Sequence, residues 1–259
     1  MDNVLRFLNS IFYGKNGFVL LLLLYETLYA FPFKPRNFGK IKWYIALPFV
    51  YAAFICYGFF IPFIKFPLGQ LTVIFNCFLI FAVSVLASHL CFKRPFKRTI
   101  FDCSAAYISQ NLTLNVQELI CKFIQAKGWA KLGIYFFAAA IAAVILFFAF
   151  VYKNRNSSII VNTLQTMIVV IIAFVASNVI FTLFNVMQGL TSLSRILLKC
   201  VSIIVCLLSL LYQFGVFRNA GLINKQYVTE QLLVAEQKQH KISEENIELI
   251  NIKCHDLKK

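Results

Sequence analysis

The chain has 259 residues, 60% of them hydrophobic and 14% charged, and its 25 Lys and Arg against ten Asp and Glu give a formal net charge of +15. A soluble domain carries roughly a quarter charged residues, so this composition, with a mean hydropathy of +0.77, excludes a soluble globular protein and indicates an integral membrane protein. The basic excess does not indicate nucleic acid, because the Lys and Arg residues sit in short loops between apolar runs, where they set membrane orientation.

The first apolar run, residues 17–24, continues into Tyr25-Glu-Thr-Leu-Tyr29 without a small-residue cleavage site, so it reads as a span rather than a removable signal. A spanning helix needs about 20 mostly apolar residues. Six stretches meet that requirement: 8–31, 43–60, 68–90, 132–151, 159–184 and 196–217. Polar or proline-containing breaks at 34–40, 62–67, 93–98 and 153–158 separate them.

Between the third and fourth of these lies 101–124, long enough to span but polar. One helical stripe holds Phe101, Ala105, Ile108, Leu112, Leu119 and Phe123, while Asp102, Asn111, Asn115 and Glu118 occupy much of the remainder. Such a helix either lies on the membrane surface or crosses with its polar face turned into the bundle. Charge decides between the two. With six crossings and a cytoplasmic C-terminus, the most basic loops (Lys34/Arg36/Lys40/Lys42 and Lys93/Arg94/Lys97/Arg98) would face outside. With 101–124 crossing as well and the N-terminus outside, both loops, Lys153/Arg155 and Arg218/Lys225 face the cytoplasm. The sequence therefore predicts an all-α membrane protein, a bundle of about seven transmembrane helices over 1–217, followed by a long cytoplasmic helix over 218–259.

Ionisable and amide groups within spans are costly and mark candidate functional positions. They are Glu26, Asn76, Asp102, Gln110, Asn111, Asn115, Glu118, Asn162, Gln165, Asn178 and Asn185. Two roles are open to them: interhelical hydrogen bonding, or the lining of a ligand cavity built around 101–124, for which Glu26, Asp102, Gln110, Asn111, Asn115 and Glu118 are the candidates. The eight cysteines form no CxxC and mostly fall inside apolar runs, as buried small hydrophobes do. They suggest neither disulfides nor a metal site.

From residue 222 onward the chain is rich in Gln, Glu, Lys and Asn and contains neither Gly nor Pro, which favours one helix. A heptad frame places Val228, Ala235, Ile242 and Leu249 on one row and Leu232, Gln239, Asn246 and Lys253 on the other. That pattern predicts a parallel dimeric coiled coil with polar layers; the competing reading is a solvated single helix. At the end stand Cys254-His255-Asp256-Leu257-Lys258-Lys259. A neutral imidazole can act as a nucleophile, the adjacent carboxylate can orient it and take its proton, and the lysines can attract phosphate.

The order of a multi-helix apolar domain, a Gln/Glu-rich linking helix and then Cys254-His255-Asp256-Leu257-Lys258 resembles a bacterial sensor histidine kinase of the GHKL-domain, peptide-quorum-receptor type. The stretch Cys103-Ser-Ala-Ala-Tyr107 with Gln110 resembles a polar membrane segment of such proteins more loosely. The resemblance implies that His255 is the phosphoacceptor, Asp256 its general base, a response regulator the partner and a peptide the ligand. It also implies a second dimerisation helix and an ATP- and Mg-binding domain. Neither fits after Lys259, and no Gly-rich phosphate cradle occurs earlier. The expectation is a kinase cut directly after its acceptor, with no cofactor of its own and no activity alone. The alternative is a non-enzymatic scaffold or transporter-like subunit with an interaction coiled coil.

Overall fold

A computed structural model describes residues 15–37, 42–60, 71–152, 168, 171, 172, 175 and 192–256. The secondary structure among them is helical, save an isolated bridge between Pro35 and Phe92. In chain order the helices are α1 (Lys15–Ala30), α2 (Trp43–Phe60), α3 (Leu71–Cys91), α4 (Phe96–Ile124), α5 (Gly128–Leu146) and α6 (Ser192–Asp256). A π-helical turn, Phe147–Tyr152, extends α5.

Three of these are long and apolar enough to cross a membrane: Ile74–Cys91 within α3, Gly128–Tyr152 through α5 and its extension, and Leu193–Lys253 within α6. Gly17–Ala30 and Trp43–Gly58 are shorter apolar helices. The outer faces suit lipid. Phe136, Phe137, Ile141, Val144, Ile145 and Phe148 are all exposed, as are Leu197, Val201, Ile204, Leu208 and Leu211.

The chain divides into two compact units. Among the described residues one takes in α1 to α5 and α6 up to Gly215; the other takes in α6 from Val216. Within the first, α4 is the central element. Every residue from Phe101 to Gln110 is buried, polar and apolar alike. Its start is set by Pro95, extended at φ −60° and ψ 143°, a position where proline's missing N–H costs no helical bond. Its end is set by Gln125 in the left-handed region at φ 51°, with the cap N–H bonded to the Cys121 carbonyl.

The polar side chains of α4 fix its neighbours. Tyr25 pairs with Thr113 at 2.6 Å and Tyr29 with Ser109 at 3.0 Å. As α1 advances four residues α4 retreats four, so the two run antiparallel. Gln117 donates to the Tyr135 carbonyl of α5 at 2.8 Å. Gln213 donates to the Phe101 carbonyl at 2.8 Å and Asn115 to Ser202 at 2.9 Å, so α6 also runs antiparallel to α4.

The sequence placed a loop over 93–98 and started the next helix at 101. Instead α4 begins at Phe96, which carries Lys97 and Arg98 into the helix. The apolar stripe expected on 101–124 holds only in part. Phe101, Ala105, Ile108 and Leu112 are buried but Phe123 is 70% exposed. The opposite face of the first three turns is buried too, because neighbouring helices surround it.

The second unit contributes the tail. Among its described residues Leu222, Val228, Leu232, Ile242 and Leu249 are all exposed in the single chain. Within it, Gln231 donates to the Tyr227 hydroxyl at 2.7 Å and Thr229 to the Lys225 carbonyl at 2.9 Å, both local helix contacts.

Candidate functional site

The strongest concentration of buried charge lies where α1 and α3 end and α4 begins. Arg94, 5% exposed, donates through Nη1 to Asp102 at 2.8 Å and through Nη2 to the Ser88 hydroxyl. Arg98, one helical turn before Asp102, reaches the same carboxylate through Nε at 2.9 Å. Two guanidinium groups thus share one carboxylate, and Asp102 is 2% exposed. Burying a charge without a partner costs several kcal/mol, so the sharing explains how two cations are tolerated here. Aromatic faces complete the enclosure. Arg94 lies 5.8 Å from the ring centres of Phe33 and Phe92, and Arg98 lies 5.7 Å from Phe33 and 5.8 Å from Phe101, within cation–π range.

Glu26 belongs to the same cluster. It is 1% exposed, with Ser84, Arg94 and Cys103 as polar neighbours. Among the described residues neither carboxyl oxygen has a hydrogen-bond partner of ordinary geometry. The Tyr51 hydroxyl, which faces Glu26, Arg94 and Cys103, and the Nε of Arg94 are likewise without one. Buried polar groups are nearly always satisfied by protein, water or ligand. A carboxyl group, a guanidinium donor and a phenol left open in one place therefore make a site able to take a small polar group or ordered water.

The six candidate residues do not converge on one place: one pair, one lone residue and one group of three are separate. Glu26 and Asp102 meet in the cluster through Arg94. Gln110 lies eight residues beyond Asp102 on α4, about 12 Å along the axis at 1.5 Å per residue; it is fully buried, and neither amide atom has a partner among the described residues. Asn115 and Glu118 line the seam between α4 and α6. Asn115 bridges its own helix, at the Asn111 carbonyl, to Ser202, and Glu118 pairs with Lys199. Asn111 itself is half-buried and supplies that carbonyl.

Of the further polar positions, Asn76 is half-buried with its Oδ1 unpartnered among the described residues. Asn162, Gln165, Asn178 and Asn185 lie outside the described residues. His255 and Asp256 fall in the last turn of α6; the side chain of neither is among those described, nor are residues 257–259. His89 contacts Thr99 at 3.4 Å and stands edge-on to Phe96, and His240 pairs with Glu244 at 3.4 Å on an exposed surface.

Sequence reasoning missed Arg94, Arg98, Ser84, Ser88, Tyr51, Gln117 and Gln213. Signals existed for some of them. Arg98 and Asp102 have i,i+4 spacing, as do Ser84 and Ser88 on α3, which places each pair on one helix face. Arg94 carries no such signal, because only the turn at Pro95 folds it back toward α4.

The residue Phe214 ties this region to α6. Phe150 stacks on it with ring centres 4.2 Å apart, Tyr29 stacks at 6.0 Å and Phe101 meets it edge-on at 6.0 Å. With Gln213 bonded to the Phe101 carbonyl, the last turn of α6 in this unit is held one residue before Asp102. The π-helical turn aims Phe150 at that contact, in keeping with the association of such turns with functional positions.

Among comparisons with known proteins, no family model, no curated protein and no solved structure matches the chain. Among the described residues the geometry defines a helical protein with three helices long and apolar enough to cross a membrane and with a buried charge cluster. Any more particular assignment rests on the residues themselves.

Proposed function

We propose that the chain is the membrane-sensing portion of a two-component histidine kinase of the GHKL type. In this reading it is a multi-pass protein of the bacterial cell membrane with its N-terminus outside and its C-terminus cytoplasmic. The observation that carries the reading is the content of one helix. The bounds of α6, Ser192–Asp256, include the last apolar run, the polar seam to α4 and the His-Asp pair, so a change at the sensing helices and the proposed acceptor share a single element.

Seven crossings fit this arrangement. Phe150 stacks on Phe214 where the apolar part of α6 ends, whereas Lys199, near the start of α6, pairs with Glu118 far along α4. A further crossing between Phe150 and Ser192 suits that pairing. The stretch 159–184 lies outside the described residues apart from Ile168, Ile171, Ile172 and Val175, all exposed.

In the proposed mechanism a ligand, a peptide by the family resemblance, is read by the polar groups of α1 and α4, and the α4–α6 seam transmits the change. The tail helices pair as a parallel homodimer through Val228, Ala235, Ile242 and Leu249. His255 then takes a phosphoryl group from Mg-bound ATP on a GHKL-type domain. Asp256 accepts the imidazole proton, and the phosphoryl group passes to a response regulator. The test is to supply radiolabelled ATP and an intact kinase of this type to membranes containing the chain. Label should be acid-labile and disappear in His255→Ala. Label that survives this substitution, or none at all, would overturn the assignment.

A further inference from the structure

A second site is independent of the kinase reading. The two most basic loops are far apart in sequence but joined in space. Pro35 bridges Phe92, the Arg36 amide donates to the Cys91 carbonyl at 2.7 Å, and the Lys93 amide donates to the Lys34 carbonyl at 2.9 Å. A third link, from the Trp43 amide to the Asn37 side chain at 3.1 Å, ties the start of α2 to the same loop. Four cations are thereby gathered: Lys34, Arg36, Lys42 and Lys93.

The cluster described above does not neutralise them. Its one shared carboxylate, Asp102, is taken by Arg94 and Arg98. Among the described residues none of the four gathered cations pairs with a carboxylate. Beside them stand Trp43 and Tyr44, 47% and 53% exposed, with the Lys42 ammonium 5.8 Å from the Tyr44 ring centre. Farther along α2, Ile45 and Phe49 are exposed. The order along the surface is therefore cations, amphipathic aromatic rings, then bare apolar side chains. This matches the polarity gradient of a bilayer leaflet from phosphate to acyl chain. An acidic protein would answer the cations but leave the adjoining apolar face uncovered.

We propose that the joined loops form a binding site for an anionic phospholipid, its phosphate held by Lys34, Arg36, Lys42 and Lys93 and its glycerol region packed against Trp43 and Tyr44. The links fix the backbone positions from which the four cations extend, which distinguishes a site from diffuse attraction to a charged surface.

The chain's two tryptophans, Trp43 and Trp129, supply the test. Trp129 lies at the start of α5, beyond the opposite end of α4, and is 49% exposed. The full chain is reconstituted in mixed phosphatidylcholine–phosphatidylglycerol vesicles, with one lipid or the other brominated in its acyl chains. In Trp129→Phe, Trp43 should be quenched at least about twofold more by brominated phosphatidylglycerol than by brominated phosphatidylcholine at equal content. The excess should vanish in Lys34→Gln/Lys42→Gln/Lys93→Gln. In Trp43→Phe, Trp129 should show no excess, and its emission should be unchanged by the triple substitution, which reports an intact fold. Equal quenching of Trp43 by the two lipids, an excess that survives the triple substitution, or the same excess at Trp129 would each overturn the proposal.

Discussion

Asp102 is the residue on which most of the buried electrostatics turns. Its carboxylate holds Arg94 at 2.8 Å and Arg98 at 2.9 Å, and of the two only Arg94 is fully enclosed. Asp102→Asn preserves shape but removes the charge that compensates a buried guanidinium, a change that costs about 3–5 kcal/mol. The expected outcome is a clear loss of thermal stability in the detergent-solubilised protein. Arg94→Met combined with Asp102→Leu should recover most of it, because a buried ion pair replaced by apolar groups of similar size is close to neutral. Additive losses in the double variant would show that the pair is not coupled as the geometry requires. Asp102 was visible in the sequence as a charge inside a candidate span, and Arg98 was recoverable from i,i+4 spacing. Arg94 was not, since the two rings beside it, Phe33 and Phe92, and the carboxylate it pairs with come from separate segments.

At the scale of elements, α4 shows how a polar helix becomes a core. Its serines, threonines, glutamines and asparagines tie α1, α5 and α6 to one axis, the kind of interhelical bonding that membrane bundles use in place of hydrophobic contrast. Close approach needs small residues as well. An added Cβ at Gly58 on α2 would come within 2.5 Å of a Val19 methyl on α1. At Gly215 on α6 it would meet nothing within 4 Å. Gly58→Ala should therefore destabilise the protein by about 1–3 kcal/mol through overpacking. Gly215→Ala should be neutral or stabilising by up to about 1 kcal/mol, since it removes a helix-interior glycine without a clash. Melting curves of the two variants side by side check the contrast; equal losses would place the α1–α2 contact elsewhere.

For the whole molecule, the proposed dimer is the assertion most open to direct measurement. The heptad row of the tail is exposed in the single chain, with Val228 at 49% and Leu249 at 56%. A helix with an unpaired apolar stripe normally acquires a partner. Single cysteines introduced at Val228 or Ala235 in the full chain should form intermolecular disulfides in membranes well above the native background. A cysteine at Glu230, outside the frame, should not. Equal crosslinking at all three positions, or none, would count against the parallel pair.

The sequence by itself determined the class. Apolar runs of spanning length, basic loops and a Gly- and Pro-free tail are local patterns, and local patterns dictate helices and a membrane environment whatever the packing. It also determined that 101–124 is the anomalous segment, because polarity at that length stands out against its neighbours. Only the tertiary structure decided what that polarity does. Whether Asn115 bonds Ser202, Gln213 reaches the Phe101 carbonyl, Arg94 turns inward or Lys34 meets Lys93 depends on residues distant in the chain. These contacts are fixed by helix direction and by the few turns that bring the ends together, and no one-dimensional period encodes them.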